Sequence, residues 1–154
     1  PGNVLVATVD GAPVPKIIDF GVAKAIADLP VQSDDTTQVG QRVGTLAYMS
    51  PEQARRDRAD TRSDIYCLGT TFFHALLLRH PVWAEDPDEF WERKRRGEID
   101  PVTDEERARV PAPLRAVAMK AMEPDPDKRY QTVHELAEDL KRYQAGKAVT
   151  AHRE

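Results

Sequence analysis

The sequence predicts a mainly α fold preceded by a short N-terminal β-hairpin, and three observations predict it. Two apolar runs flank an Asp10-Gly11 turn near the start. Three later segments open with helix-capping residues. Between the first and second of these lies a long uncharged run, Ile65 to Leu78, too rich in large apolar side chains for a loop.

Taken in order, Asn3 to Val9 reads as a strand through Val4, Leu5 and Val6, Asp10-Gly11 is a strong tight-turn dipeptide, and Lys16 to Ile18 resumes the apolar run. From Gly21 to Gln41 no period is sustained, and Pro30, Ser33, Asp34, Asp35, Thr36, Thr37 and Gly40 mark a long polar loop. Loops of this length inside a domain are usually functional or disordered. Ser50-Pro51-Glu52-Gln53 then supplies an N-cap, a proline at the first helical position and a capping-box partner. Asp86-Pro87-Asp88-Glu89 repeats the device, as does Thr132 with Glu135. The helix expected over Arg62 to Leu78 places Ile65, Leu68, Phe72, Phe73 and Leu76 on one broad apolar face, with Thr70, Thr71 and His74 opposite, so it expects neighbours on most sides. Two amphipathic helices follow, about Ala112 to Met122 and Thr132 to Tyr143.

Composition excludes several function classes. The 154 residues suit one domain, and 40% hydrophobic with 31% charged residues is a globular balance. A net charge of -4 and an isoelectric point near 5.6 argue against nucleic acid as a partner. One cysteine, Cys67, permits no internal disulfide, and with four scattered histidines it offers no zinc-ligand spacing. The first residues carry no signal-peptide pattern and no initiator Met, so the chain is expected to start inside a larger protein. Its longest uncharged run is shorter than the roughly 20 residues that span a bilayer, so no membrane span is expected in this chain.

Chemistry concentrates at a few positions. Asp19-Phe20-Gly21 puts a carboxylate at a strand end with a glycine behind it, which by itself also fits an ordinary strand-ending turn. Asn3, on the preceding strand, adds a second oxygen ligand suited to a hard cation such as Mg²⁺. Downstream stand Gly44-Thr45-Leu46-Ala47-Tyr48-Met49-Ser50-Pro51-Glu52 and Ser63-Asp64-Ile65-Tyr66-Cys67-Leu68-Gly69. Other features take plainer readings. Arg93-Lys94-Arg95-Arg96 reads as a solvated helix face, and His74 and Cys67 as core residues. The hydroxyls of Ser33, Thr36 and Thr37 fit either linker polarity or a regulatory role.

In this order and spacing the motifs resemble those of bacterial-type eukaryotic-like serine/threonine protein kinases. Pro1-Gly2-Asn3 resembles the end of the catalytic loop, Lys16 to Gly21 the D-F-G strand, and Gly44 to Glu52 the substrate-binding and A-P-E region, with Ser50 in place of the alanine and Leu46 where proline is common. Ser63 to Gly69 resembles the D-x-W/Y-x-x-G helix, and Asp125 to Arg129 the P-x-x-R turn. The resemblance implies the helical C-terminal lobe of a protein-kinase-like fold. Residues 1–143 would be a partial kinase domain and 144–154 the start of a linker. It implies ATP and Mg²⁺ as cofactors and Ser/Thr-bearing proteins as substrates. Asn3 and Asp19 would bind the Mg²⁺–ATP, and Thr45 would lie beside the catalytic loop where the substrate hydroxyl enters. Asp64 would accept backbone N–H bonds from that loop as a buried carboxylate, and Glu52 with Arg129 would form a buried ion pair tying the activation segment to the helices. If the loop hydroxyls are regulatory rather than linker polarity, Thr36 and Thr37 would be the phosphorylation sites. The catalytic Asp would lie upstream of Pro1, so the 154 residues alone are expected to be inactive and to expose apolar surface. A cytoplasmic location follows for such a domain, and in relatives a linker and membrane span often come next, which would anchor the full-length protein. A pseudokinase-like binding module is the alternative from another class, and the upstream aspartate separates the two.

Overall fold

Strand β1 (Val4–Val9) pairs antiparallel with β2 (Ala12–Ile17) in register Val9 with Ala12 through Val4 with Ile17. Only Asp10 and Gly11 separate them, at φ 50° and 79°, and two successive left-handed residues match the twist of the strands they join. Pro13 and Pro15 face Thr8 and Val6, alternate positions that exchange no ladder bonds in this register, so their missing N–H groups point away from β1. The outer edge of β2 therefore lacks two of the donors another strand would use. This computed structural model describes residues 4–17 and 46–152. The chain divides into two units, Pro1–Gln41 and Arg42–Glu154.

In the second unit every helix but the one that follows Pro111 starts at a capping side chain. Helix α1 (Pro51–Arg55) follows Ser50, whose hydroxyl accepts from Gln53 N–H while the Gln53 side chain accepts from Ser50 N–H at 3.0 Å. Helix α2 (Thr61–Leu77) is capped by Asp60 and ends at Leu78, which takes φ 60° and is 74% exposed. Helix α3 (Pro87–Arg96) is capped by Asp86, which accepts from the N–H groups of Asp88 and Glu89, and closes on Gly97 at φ 69°. Helix α4 (Asp104–Arg109) begins with a reciprocal Thr103/Glu106 capping box. Helix α5 (Ala112–Ala121) and helix α6 (Val133–Gln144) complete the set, with a 3₁₀ turn at Pro126–Lys128 between them. Thr132 caps α6, but Glu135 reaches one residue further back than a capping box requires, accepting from Gln131 N–H at 2.9 Å.

Helix α2 is the common wall of two core clusters. Tyr66, Phe73 and Leu77 pack with Val110, Ala118 and Met122; Ile65 packs with Val117, Ala121, Tyr130 and Val149. Its buried face is rotated from the one its large apolar residues suggest. Gly69 and Thr70 are buried, while Leu68 is exposed and Phe72 and Leu76 are only partly covered. Close approach to α5 explains the rotation: a Cβ on Gly69 would lie 2.6 Å from Ala121 Cβ. Thr70 enters this contact because its hydroxyl donates to the Tyr66 carbonyl at 3.1 Å and leaves no donor unpaired.

Beyond α6, where a linker was expected to begin, the chain returns to the core. Val149 is 3% exposed, and buried Asp139 accepts from Tyr130 Oη, Thr150 Oγ1 and Thr150 N at 2.7 Å and from Ala151 N at 3.1 Å. Those four donors hold its carboxyl below the ordinary range against the opposing effect of burial.

Candidate functional site

The segment Leu46 to Ser50 is held from three helices at once. Its tight turn is closed by Met49 N–H donating to the Leu46 carbonyl at 3.1 Å, and Ala47 and Ser50 are buried. Lys94 of α3 donates from Nζ to the Ala47 carbonyl at 2.6 Å. His74 of α2 bonds through Nδ1 to the Tyr48 hydroxyl at 2.7 Å, with His80 packed 4.5 Å from its ring. Gln53 of α1 holds Ser50 through the capping box.

Helix α1, which follows this segment, carries a buried ion pair. Arg129 Nη1 and Nη2 donate to Glu52 Oε1 and Oε2 at 2.7 and 2.8 Å, a two-pronged contact with the side chains 0% and 6% exposed. The remaining guanidinium donors reach the carbonyls of Glu123, Arg62 and Pro124 at 2.7, 2.9 and 3.2 Å, so all five N–H groups are used. Ser63 Oγ adds a bond to Glu52 Oε1 at 2.7 Å. Burial alone would push the Glu52 carboxyl up, but the bonds from Arg129 and Ser63 outweigh it and bring it down to about 2.

Tyr66 joins these two features. Its ring lies 4.9 Å from the Arg129 guanidinium carbon and 5.3 Å from Lys94 Nζ. Lys94 is 1% exposed and has no carboxylate partner among the described residues; burial pulls its ammonium down to about 8. The same burial pushes the neighbouring Cys67 thiol up to about 11.

Of the residues the sequence singled out, Glu52 and Arg129 are brought together. Asp64 stands exposed in the first turn of α2 with no side-chain partner among the described residues, and the loop expected to bond it lies outside the described residues. Asn3, Asp19, Thr36, Thr37 and Thr45 lie outside the described residues. The reading of Arg93 to Arg96 as a solvated face is corrected. Lys94 is buried without an acid partner among the described residues, Arg93 pairs with Glu98 and Asp100, Arg96 pairs with Glu92 and Glu98, and the exposed Arg95 has no acid partner among the described residues. Sequence reasoning missed Lys94, although buried Phe90 four residues earlier marks the same helix face. It also missed Ser63 and Asp139, hydroxyl and carboxylate groups whose partners are distant in sequence. Among the described residues no cluster of three His, Cys, Asp or Glu side chains could hold a metal, and no helix is long and apolar enough to cross a membrane.

Comparison with known proteins bears on this arrangement. A family profile described as the protein kinase domain matches residues 1–140. Serine/threonine-protein kinase PknB of Mycobacterium tuberculosis is 36% identical over 147 residues, covering 95% of this chain and 22% of its own length. PknB of Mycolicibacterium smegmatis is 37% identical over 152 residues, covering 98% of this chain and 23% of its own. The chain thus spans about a fifth of the length of these relatives. A crystal structure of the Rad53 kinase domain and SCD2 in complex with AMPPNP superposes with a TM-score of 0.62 at 19% identity, over 88% of this chain and 45% of that one, which shows a shared fold.

Proposed function

The chain belongs to the protein kinase domain family, and from that premise we propose that the protein containing it transfers the γ-phosphoryl group of ATP to serine and threonine hydroxyls of protein substrates. The observation that carries this reading is the clamp on Leu46 to Ser50. The segment directly after Thr45 is fixed by α1, α2 and α3, and α1 is itself riveted to Arg129. A phosphoryl acceptor must be held at near-attack distance, and positioning is most of what such an enzyme contributes. Thr45 would meet the incoming hydroxyl, and Asp64, exposed at the start of α2, would be covered by the catalytic loop.

Asn3 and Asp19 offer an amide and a carboxylate oxygen, a donor set suited to Mg²⁺ with nucleotide. Bound there, the ion would neutralise charge on the phosphates. The catalytic base of this reading belongs to the segment that precedes Pro1 in the family, so residues 1–154 alone would not catalyse transfer.

In the complete protein, Asp19→Asn should lower transfer to a Ser/Thr peptide by about 10²-fold or more. Near-normal turnover at saturating Mg²⁺ and ATP would refute the role of Asp19. Thr36 and Thr37 are the proposed regulatory sites, since each phosphate adds about -1.5 to -2 charge that an arginine such as Arg42 would pair with. Mass spectrometry of the active protein should find phosphate between Ser33 and Thr45; an active preparation with that peptide wholly unmodified would refute it.

A further inference from the structure

We propose that Lys94 is a positioning residue for the substrate peptide, a buried tether that sets the place of the Leu46 to Met49 segment through the Ala47 carbonyl. The proposal rests on the kinase reading above and deepens it. Four observations carry it. The lysine is on α3, 47 residues away in sequence, yet its Nζ reaches Ala47 O at 2.6 Å. It is 1% exposed. That carbonyl is the sole hydrogen-bond acceptor the ammonium has among the described residues. Its other contact is the face of Tyr66, whose ring also receives Arg129.

This is a poor arrangement for stability alone. A buried charge without a counter-ion is costly, and apolar side chains of similar volume often replace buried charges with no loss or with a gain. A methionine in that slot would fill the space beside Phe90 and Tyr66 but could not hold a carbonyl. The other two side-chain holds, His74 on Tyr48 and Gln53 on Ser50, reach a phenol hydroxyl and a capping serine rather than a backbone carbonyl. Among the described residues Lys94 is therefore the one side chain that holds a backbone carbonyl of Leu46 to Met49, and it acts on the residue two past Thr45.

The groups facing the ammonium are few. Tyr66 and Cys67 of α2 both stay protonated well above neutral pH because burial disfavours their anions. Arg129 beyond the Tyr66 ring is cationic and fully paired with Glu52. The His80 ring, after α2, is pulled below its ordinary value by burial and by His74 and Lys94 beside it. None of these supplies a negative charge, so the tether loosens when Lys94 loses its proton.

The test compares the complete wild-type protein with Lys94→Met, measuring peptide KM, ATP KM and kcat from pH 7 to 9.5, with thermal melting beside them. The expected result is a peptide KM raised about 3- to 10-fold by the substitution at pH 7, with ATP KM unchanged and melting temperature unchanged or higher. In the wild type, peptide KM should climb through pH 8 towards the variant's value, while the variant's profile stays flat. Equal peptide KM in the two proteins, or a parallel pH profile, would overturn the proposal. A variant that fails to fold would also count against it, and the wild-type profile and amide exchange at Tyr48 and Met49 would still decide: both must rise through pH 8. A wild-type protein that transfers no phosphoryl group to any Ser/Thr peptide would instead overturn the kinase reading. The exchange of those two amides then judges the tether by itself, and exchange with no step near pH 8 beyond the general base dependence would end it.

Discussion

Two buried cations approach the same Tyr66 ring and are held in opposite ways. Arg129 spends all five donors, two of them on a carboxylate that Ser63 also supports. Lys94 has one backbone carbonyl and an aromatic face. A guanidinium with every donor matched, against a full opposite charge, acts as a rivet that proton exchange near neutral pH does not touch. An ammonium with one neutral acceptor acts as a hold that the solvent proton concentration can release. The rivet fixes α1 to the turn before α6, and the tether fixes only the Leu46 to Met49 segment.

The largest effect should come from breaking the rivet. Arg129→Ala leaves Glu52 buried with only Ser63 as a side-chain donor, and should cost about 3–5 kcal/mol in urea unfolding of the complete protein. A cost under about 1 kcal/mol would mean that the pair is not the rivet described.

A second, smaller pair of effects separates the two sites by pH. Glu52 is held at about 2 in the folded state against an ordinary 4.5, so its contribution is full above pH 4.5 and is lost as pH falls towards 2. By linkage that amounts to about 3 kcal/mol at most. Glu106, held down to about 2 by Arg79 and by Thr103 N–H, adds a loss in the same direction, so Glu52→Gln should remove only part of the acid dependence. Lys94 runs the other way. Its folded value of about 8 lies below the ordinary 10.5, so the unfolded chain binds more protons between them and stability rises with pH across that window. Cys67, pushed from 9.0 to about 11, opposes the rise above pH 9. The difference between wild type and Lys94→Met, followed by denaturation from pH 7 to 10, isolates the lysine; a difference that does not change with pH would contradict the contrast.

The same contrast marks what the sequence discloses. The starts of α1, α3 and α6 were legible because a cap and its partner lie within three or four residues, and so was the hairpin from Asp10-Gly11. Helix α4 carries an equally local signal in Thr103 and Glu106, but its six residues hold too little apolar pattern to draw attention. The buried face of α2 was not legible from its large residues, since it is set by how closely Gly69 lets α5 approach. Glu52 and Arg129, 77 residues apart, were paired only through two short motifs of the family resemblance. Lys94 was hidden inside a run of four basic residues, where charge is shared by all and orientation by none.

The most direct measurement is the titration of Lys94 itself, by NMR of its labelled side chain in the wild-type protein with Lys94→Met for assignment. A buried ammonium held by one carbonyl predicts a midpoint near 8, accompanied at the same midpoint by a shift of the Tyr48 and Met49 amides. A midpoint at the ordinary 10.5, or a Lys94 transition that leaves those amides unmoved, would contradict the account.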